Sequence, residues 1–261
     1  MIVVKFGGHA MKDQNGNFAK AIAAAHKAGE QVVVVHGGGP QIDAALKAQG
    51  IVSTWVGGFR VTTQEVFDVV EEVLVNQVGV EVAATLGKAG IQAHAMSART
   101  LPTVIANRRT QLIDGTPAEL GFVGDVKRVD PSALLELLNQ GIVPVVAPVS
   151  SDEDLVTGLN VNADYVAAAI AASLGASSLI VMTDVAGIYR NWPDKDSLIE
   201  TISAIELESI KSGFAEGMAP KVQAALDALS LGAQAVRIID GTDPDSFASA
   251  LDGHGGTLVV A

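Results

Sequence analysis

Cationic side chains stand beside glycine-rich or turn-like stretches at three places in the sequence. Lys5 lies in the apolar opening run of MIVVKFGG, Arg60 lies in GGFRVT, and Lys221 follows a proline in EGMAPKVQ. A lysine in a buried strand is unfavourable unless its ammonium group faces negative charge. These cations therefore predict a site for an anionic ligand. Two alternatives remain open: Lys5 could extend to solvent from an edge strand, and Arg60 and Lys221 could be ordinary surface residues.

The stretch HGGGPQI follows a run of four valines. In a parallel sheet, the loops after the strands line the ligand crevice, and glycine lets backbone N–H groups approach an anion. Pro40 suits the first turn of a helix, so the glycines at 37–39 are predicted at its positive N-terminus. This arrangement suits phosphate or carboxylate, and a tight turn that needs glycine only for positive φ is the alternative. The chain contains neither a G-x-x-x-x-G-K-[ST] motif nor the third glycine of a dinucleotide loop.

Amide and carboxylate side chains are concentrated in GLNVNADYVAA. Asn162 is predicted to cap a helix, and Asp164 falls in the first turn, where negative charge is favoured. Capping does not account for Asn160, and spare oxygens beside a crevice can orient a ligand or a lysine. In SLIVMTDVAGIY, Asp184 follows another apolar run, with Gly187 in the turn, where a nucleotide could lie.

The elements that must position these residues follow an α/β pattern. The 261 residues are 49% hydrophobic, which is enough for one large α/β domain or two modest lobes. Runs rich in valine and isoleucine alternate with alanine-rich segments of helical period, which predicts βαβ units around a buried parallel sheet. The predicted strands span residues 2–6, 31–36, 91–96, 143–148, 178–183 and 235–239, and the predicted helices span residues 16–28, 40–48, 64–88, 131–140, 163–174, 205–212, 221–231 and 246–251.

Residues 101–127 break this alternation. Short alternating pieces such as TVIANRRTQLI, and the turn in ELGFVGDV, predict antiparallel hairpins that could form a lid over one crevice. No Pro/Ser-rich linker or repeat marks a domain boundary, so we predict only a soft boundary near residues 173–178.

Charge and composition exclude several functional classes. The 29 acidic residues outnumber the 17 basic residues, and the formal charge of −12 would repel nucleic acid and anionic membranes. The chain has no cysteine, so it can form neither disulfides nor thiolate metal sites. The five histidines have no ligand-like spacing, so no metal site is predicted. No targeting or membrane-spanning segment is recognisable, and we expect a cytoplasmic protein.

Six motifs in this order resemble the amino acid kinase family: KFGG, VHGGGP, GFRVT, LNVNADYVA, TDVAGI and GMAPKVQAALDA. The resemblance covers nearly the whole chain. It implies an open αβα sandwich around a mainly parallel sheet, usually in a homodimer. The implied activity is transfer of the γ-phosphoryl group of ATP, with Mg²⁺, to the side-chain carboxylate of N-acetyl-L-glutamate, a step of arginine biosynthesis. Residues 1–175 would bind the amino acid and dimerise, and residues 176–261 would bind ATP.

The resemblance also implies a role for each candidate residue. Lys5 and Lys221 would stabilise the migrating phosphoryl group, and Asp164 would hold their ammonium groups in place. The implied amino-acid-binding residues are Gly38, Gly39, Arg60 and Asn160. The implied ATP-binding residues are Gly7, Gly8, Asp184, Val185, Ala186, Gly187, Ile188 and Tyr189.

Some segments depart from the family pattern. SARTLPTVIANRR replaces a glycine- and aspartate-rich turn, and Thr63 replaces a common acidic residue, so the acyl-group preference stays open. Arginine-inhibited relatives carry an additional helix before the first strand, so we expect no arginine feedback. The alternatives are a sister kinase for carrier-protein-bound aminoadipate or glutamate, a non-catalytic nucleotide or amino-acid sensor, and an oxidoreductase that uses a dinucleotide.

Overall fold

The computed structural model of the chain describes residues 1–7, 16–99, 102–214, 218–243 and 245–261. Its strands are β1 (Ile2–Phe6), β2 (Val32–His36), β3 (Trp55–Val56), β4 (Phe59–Arg60), β5 (Ala93–Ser97), β6 (Val104–Arg108), β7 (Val123–Val129), β8 (Val143–Ala147), β9 (Val149–Ser151), β10 (Gly158–Val161), β11 (Ser178–Thr183), β12 (Thr201–Ser203), β13 (Ala235–Asp240) and β14 (Thr257–Val260). Its α-helices are α1 (Asn17–Lys27), α2 (Gly39–Ala48), α3 (Gln64–Glu71), α4 (Gly79–Lys88), α5 (Ser132–Asn139), α6 (Ala163–Ser173), α7 (Ala204–Ile210), α8 (Ala219–Ser230) and α9 (Ser246–Leu251). Within these ranges, no helix combines the length and the hydropathy that a bilayer crossing requires.

The central sheet has the strand order β12-β14-β13-β11-β1-β2-β8-β5. Neighbouring strands are parallel except β13 and β14, so the prediction of a mainly parallel sheet is confirmed. Strand β1 lies between β11 and β2. Lys5 therefore stands in an interior strand, and the alternative that it extends from an edge strand is wrong.

Helices cover both faces of this sheet. Successive residues of a strand point to opposite faces, so Val3 and Val4 belong to different hydrophobic clusters. Val3 shares its cluster with residues of α6 and α8, and Val4 shares its cluster with residues of α1, α3 and α4. Burial on both faces explains why the strands read as continuous valine and isoleucine runs. The layers form the predicted αβα sandwich.

The segment that was expected to form hairpins belongs to a second sheet. Strands β6 and β7 pair antiparallel, as predicted, and they close with β9 and β10 into a small barrel. The barrel interior is filled, because a Cβ on Gly124 would lie 3.0 Å from the Cβ of Leu159 and 3.2 Å from the Cβ of Ala106. The segment therefore belongs to a packed barrel, and whether it acts as a lid over a crevice stays a prediction. Leu101 lies outside the described residues.

The long predicted helix over residues 64–88 is interrupted. A π-helical turn over Glu72–Val78 separates α3 from α4, and the N–H of Gly79 bonds to the carbonyl of Leu74. A Cβ on Gly79 would lie 3.1 Å from Nε2 of His36 and 3.2 Å from that carbonyl oxygen. The turn therefore brings a residue without a side chain against the buried imidazole at the end of β2.

Candidate functional site

The glycines after β1 and β2 bring two backbone segments together. The N–H of Gly37 donates a 2.8 Å hydrogen bond to the carbonyl oxygen of Phe6. A Cβ on Gly37 would touch the Cα of Gly7 at 3.5 Å, and a Cβ on Gly7 would lie 3.0 Å from Nζ of Lys5. The bare backbone of Gly7 thus makes room for the lysine ammonium group. The predicted Gly8 lies outside the described residues.

Helix α2 begins at Gly39, with Pro40 in its first turn, so the predicted helix N-terminus is confirmed. No glycine at 37–39 has a left-handed φ, and the φ of Gly38 is 162°. Close packing constrains Gly38, because a Cβ there would lie 2.5 Å from Cδ2 of Leu74. No side chain among the described residues caps this helix, so none of them occupies its first N–H groups in place of a ligand.

Lys5 and Lys221 converge on Asp164 from opposite ends of the chain. Nζ of Lys5 lies 3.2 Å from Oδ1 of Asp164, and Nζ of Lys221 donates a 3.3 Å hydrogen bond to Oδ2. The Lys5 contact is an ion pair without hydrogen-bond alignment, since Oδ1 accepts no hydrogen bond from the described residues. Asp164 is only 3% exposed. Burial would raise the pKa of Asp164, but the charges of Lys5 and Lys221 outweigh burial and lower it.

The helix ends explain how these charges are positioned. The side chain of Asn162 accepts a 2.7 Å hydrogen bond from the N–H of Asp164, so the predicted cap of α6 is confirmed. The dipole of α6 favours the negative charge of Asp164 in the first turn. Lys221 also lies in a first turn, that of α8, where the dipole disfavours a cation. Its pairing with Asp164 offsets this local conflict.

Arg60 and Asn160 are joined through a residue that sequence reasoning missed. Nδ2 of Asn160 donates to Oγ1 of Thr62 at 3.1 Å, and that hydroxyl donates to the carbonyl oxygen of Arg60 at 2.8 Å. Gly121 forms a β-bridge with Thr62, and its φ is +70°. A Cβ on Gly121 would lie 2.2 Å from the carbonyl oxygen of Thr62. The signal was present, because Thr62 ends GFRVT and Gly121 stands in the ELGFVGDV turn.

A cavity of about 320 Å³ brings most of the predicted residues together. The predicted residues in its wall are Lys5, Gly38, Gly39, Arg60, Asn160, Asp164 and Lys221. Three cations and a helix N-terminus thus surround one space, and the only carboxylate in the described part of that wall is already paired with two lysines. This arrangement can bind an anion and stabilise negative charge that increases during a reaction. A larger cavity of about 640 Å³ lies between β7, α6 and α8, and its described wall contains neither Lys5 nor Lys221.

The predicted nucleotide turn follows β11 and does not contribute to the described wall of that 320 Å³ cavity. Gly187 and Ile188 are buried, and the N–H of Ile188 donates a 2.8 Å hydrogen bond to Oγ1 of Thr257. A Cβ on Gly187 would lie 2.5 Å from the same oxygen. The exposed or half-buried residues of the turn are Asp184, Val185, Ala186 and Tyr189.

The buried side chain of His36 contacts the backbone of the glycine segment that follows β2. It is fully buried, and Nδ1 lies 2.8 Å from the carbonyl oxygen of Gly37, which fits a neutral ring that donates from this nitrogen. Burial lowers the pKa of His36 to about 4, so the ring is uncharged at neutral pH. Among the described residues, no group of three His, Asp or Glu side chains is arranged to hold a metal ion.

Comparison with known proteins gives consistent results. The family model described as the amino acid kinase family matches residues 1–240. An acetylglutamate kinase from Streptomyces clavuligerus is 44% identical over 263 residues, which cover 99% of this chain and 87% of that protein. The crystal structure of smu.665 from Streptococcus mutans is 30% identical, with a TM-score of 0.83 over 100% of this chain and 98% of that one. An N-acetylglutamate synthase from Neisseria gonorrhoeae, solved with coenzyme A and N-acetyl-glutamate, is 25% identical, with a TM-score of 0.84 over 100% of this chain and 59% of that chain.

Proposed function

The chain belongs to the amino acid kinase family, and from this premise we propose that it transfers the γ-phosphoryl group of ATP to the side-chain carboxylate of N-acetyl-L-glutamate. The observation that carries the proposal is the convergence of Lys5 and Lys221 on Asp164 beside a glycine-lined cavity. Relatives named acetylglutamate kinase, 43–45% identical over most of the chain, support the same substrate.

The attacking group needs no general base. A side-chain carboxylate has an ordinary pKa near 4.3, so it is already ionised at neutral pH. The reaction instead requires two anions to be held in line, with compensation for the charge that spreads over the phosphoryl oxygens. The neutral, buried His36 is therefore not needed for proton transfer.

Lys5 and Lys221 are proposed to stabilise the phosphoryl group during transfer. Each ammonium group contacts Asp164, which fixes its position while leaving N–H bonds for the phosphoryl oxygens. The site is buried, so these charges act in a medium that screens them less than water does. A preorganised donor of this kind contributes about 3–4 kcal/mol to transition-state stabilisation.

Arg60 and Asn160 are proposed to bind the α-carboxylate and the neighbouring polar atoms of the amino acid. The N–H groups of Gly38 and Gly39 lie at the N-terminus of α2, where an anion is favoured. Arginine suits this role because its planar guanidinium can donate two parallel hydrogen bonds to a carboxylate.

ATP is proposed to lie along Gly7, Gly8 and the turn after β11. That turn consists of Asp184, Val185, Ala186, Gly187, Ile188 and Tyr189. Mg²⁺ would supply positive charge to the phosphates and would be held mainly by phosphate oxygens and water, because all-protein magnesium cages are unusual. Apart from the contacts with Gly7 and Gly8, ATP would then bind to residues 176–261, and the amino acid would bind to residues 1–175.

We further propose a homodimer with an interface along α3 and α4. Val80 is 52% exposed at the start of α4, and a contact between two copies of the chain would bury it. Light scattering should give twice the mass of one chain, and a monomer would contradict this proposal. The cysteine-free sequence also suits a reducing, cytoplasmic compartment.

The test of the activity supplies MgATP with N-acetyl-L-glutamate, L-glutamate or L-aspartate and traps any acyl phosphate with hydroxylamine. We expect hydroxamate from the acetylated substrate only. Hydroxamate formed only from a carrier-protein-bound amino acid would replace this function with that of a sister kinase. No hydroxamate from any substrate, with ATP binding retained, would favour a sensor.

A further inference from the structure

The guanidinium group of Arg60 is held on one edge and one face by residues without an assigned role. Its Nη1 donates to Oδ1 of Asp43 at 2.7 Å and also to Oγ of Ser53. The indole ring of Trp55 covers it, with Cζ 4.5 Å from the ring centroid. Trp55 and Arg60 are direct cross-strand neighbours in the hairpin of β3 and β4. The side chain is thereby almost fully buried, at 5% exposure.

The remaining edge of the guanidinium is available to a ligand. Within the described part of the chain, Nη2 and Nε of Arg60 have no hydrogen-bond partner. Arg60 and Trp55 belong to the wall of the 320 Å³ cavity, whereas Asp43 and Ser53 do not. The two oxygens therefore hold Arg60 without lining the cavity, and Nη2 and Nε are the donors that Arg60 can offer to a ligand there.

We propose that Asp43, Ser53 and Trp55 form a clamp that orients Arg60 for the α-carboxylate of the amino-acid substrate. The inference rests on the proposed function and names the residues that select substrates with a carboxylate at this position. They are positioning residues, because they act through Arg60.

Side-chain entropy and exposure both favour a role of the clamp in recognition over a role in folding. Arginine has a long side chain that loses much rotamer freedom on binding, and a side chain that is already held loses less. Asp43 is 53% exposed, so water already stabilises its carboxylate, and folding depends less on this pair than on one with both partners buried. The exposed indole of Trp55 likewise covers Arg60 instead of filling the core, since it is 54% exposed.

The test compares two substrates that differ only in the α-carboxylate: N-acetyl-L-glutamate and 4-acetamidobutanoate. We expect Asp43→Asn to raise KM for N-acetyl-L-glutamate about tenfold, as expected for losing the orientation of one charged hydrogen-bonding group. Its kcat and its KM for ATP should stay unchanged, and so should its KM for 4-acetamidobutanoate. Trp55→Ala should behave in the same way, and Trp55→Phe should recover most of the affinity.

Glu206→Gln is the matched control, because it removes a surface ion pair with Arg190, and neither residue belongs to the described wall of the 320 Å³ cavity. It should leave KM for both substrates unchanged. The clamp would be overturned if Asp43→Asn raised KM equally for both substrates or left KM for N-acetyl-L-glutamate unchanged. It would also be overturned if KM for N-acetyl-L-glutamate fell, because Asp43 would then compete with the substrate for Arg60.

Calorimetry on the same variants separates this inference from the proposed function. If the wild-type chain binds N-acetyl-L-glutamate without phosphorylating it, the activity fails, and the ratio of Kd values for the two ligands still tests the clamp. If the wild-type chain binds neither ligand, both the activity and the clamp are overturned.

Discussion

Two groups of charged residues contribute cations to the cavity wall, Lys5–Asp164–Lys221 and Arg60–Asp43, and they differ in which partner is exposed. In the first group the carboxylate is 4% exposed in its side chain, and two ammonium groups reach it. In the second group the cation is 5% exposed, whereas its carboxylate is 53% exposed. A buried carboxylate depends on its cations to remain charged, while an exposed one is stabilised by water. The first group should therefore affect stability and catalysis together, and the second should affect mainly binding.

The largest expected effect on stability is that of Asp164→Asn. This substitution leaves two ammonium groups next to each other without the carboxylate that separates them, and breaking a buried ion pair in this way costs about 3–5 kcal/mol. Urea unfolding of the variant and the wild type at pH 7 measures the difference. A loss below about 1 kcal/mol, the range of exposed pairs, would remove the distinction between the two groups.

His36 gives the next largest effect, and it depends on pH. Its pKa is lowered from 6.5 to about 4 in the folded chain, so the unfolded chain binds the proton first as the pH falls. Folding stability should therefore decrease between pH 6.5 and pH 4, by about 3 kcal/mol from this residue. His36→Asn should flatten this part of the stability profile. An unchanged slope in the variant would show that other groups cause it.

Gly38→Ala tests the close packing behind the helix N-terminus. Its Cβ would overlap Cδ2 of Leu74, whereas a Cβ on Gly39 would have no neighbour within 4 Å. We expect Gly38→Ala to lower the free energy of unfolding by about 1–3 kcal/mol, the usual range for overpacking. Gly39→Ala is the control and should be nearly neutral. Equal losses in thermal unfolding would indicate a backbone effect instead of a steric one.

The smallest expected effect on stability is that of Asp43→Asn. Water stabilises the half-exposed carboxylate of Asp43, so its pair with Arg60 should contribute less to folding than the buried pairs of Asp164, although the same change should raise KM. Denaturant unfolding beside the kinetic assay tests this separation. A stability loss as large as that of Asp164→Asn would mean that Arg60 serves the fold as much as the substrate.

The fold could be predicted from the sequence where strands are buried on both faces. Strands β1, β2, β8, β11 and β13 appear as valine and isoleucine runs because neither face meets water. Strand β12 has only three residues, and the barrel closes through the pairs β6–β9 and β7–β10, whose partners lie far apart in the chain, so local periodicity carries little of their signal. The αβα layers were therefore predictable, and the barrel closure was not.

The candidate site was predictable where charge conflicts with local structure. Lys5 stands in an apolar strand, and Lys221 opposes a helix dipole, so each signals a partner elsewhere. Asp43 lies on an exposed helix face and Trp55 in a short hairpin, where such residues are ordinary. Their relation to Arg60 exists only in three dimensions, because it depends on the register of β3 with β4 and on the packing of α2.

The role of the paired lysines is tested most directly by kcat for hydroxamate formation in Lys5→Ala, measured beside the calorimetric Kd for ATP and N-acetyl-L-glutamate. If Lys5 stabilises the phosphoryl group in transfer, kcat should fall by about a hundredfold or more while both Kd values change only modestly. Turnover of Lys5→Ala at the wild-type rate would contradict the account.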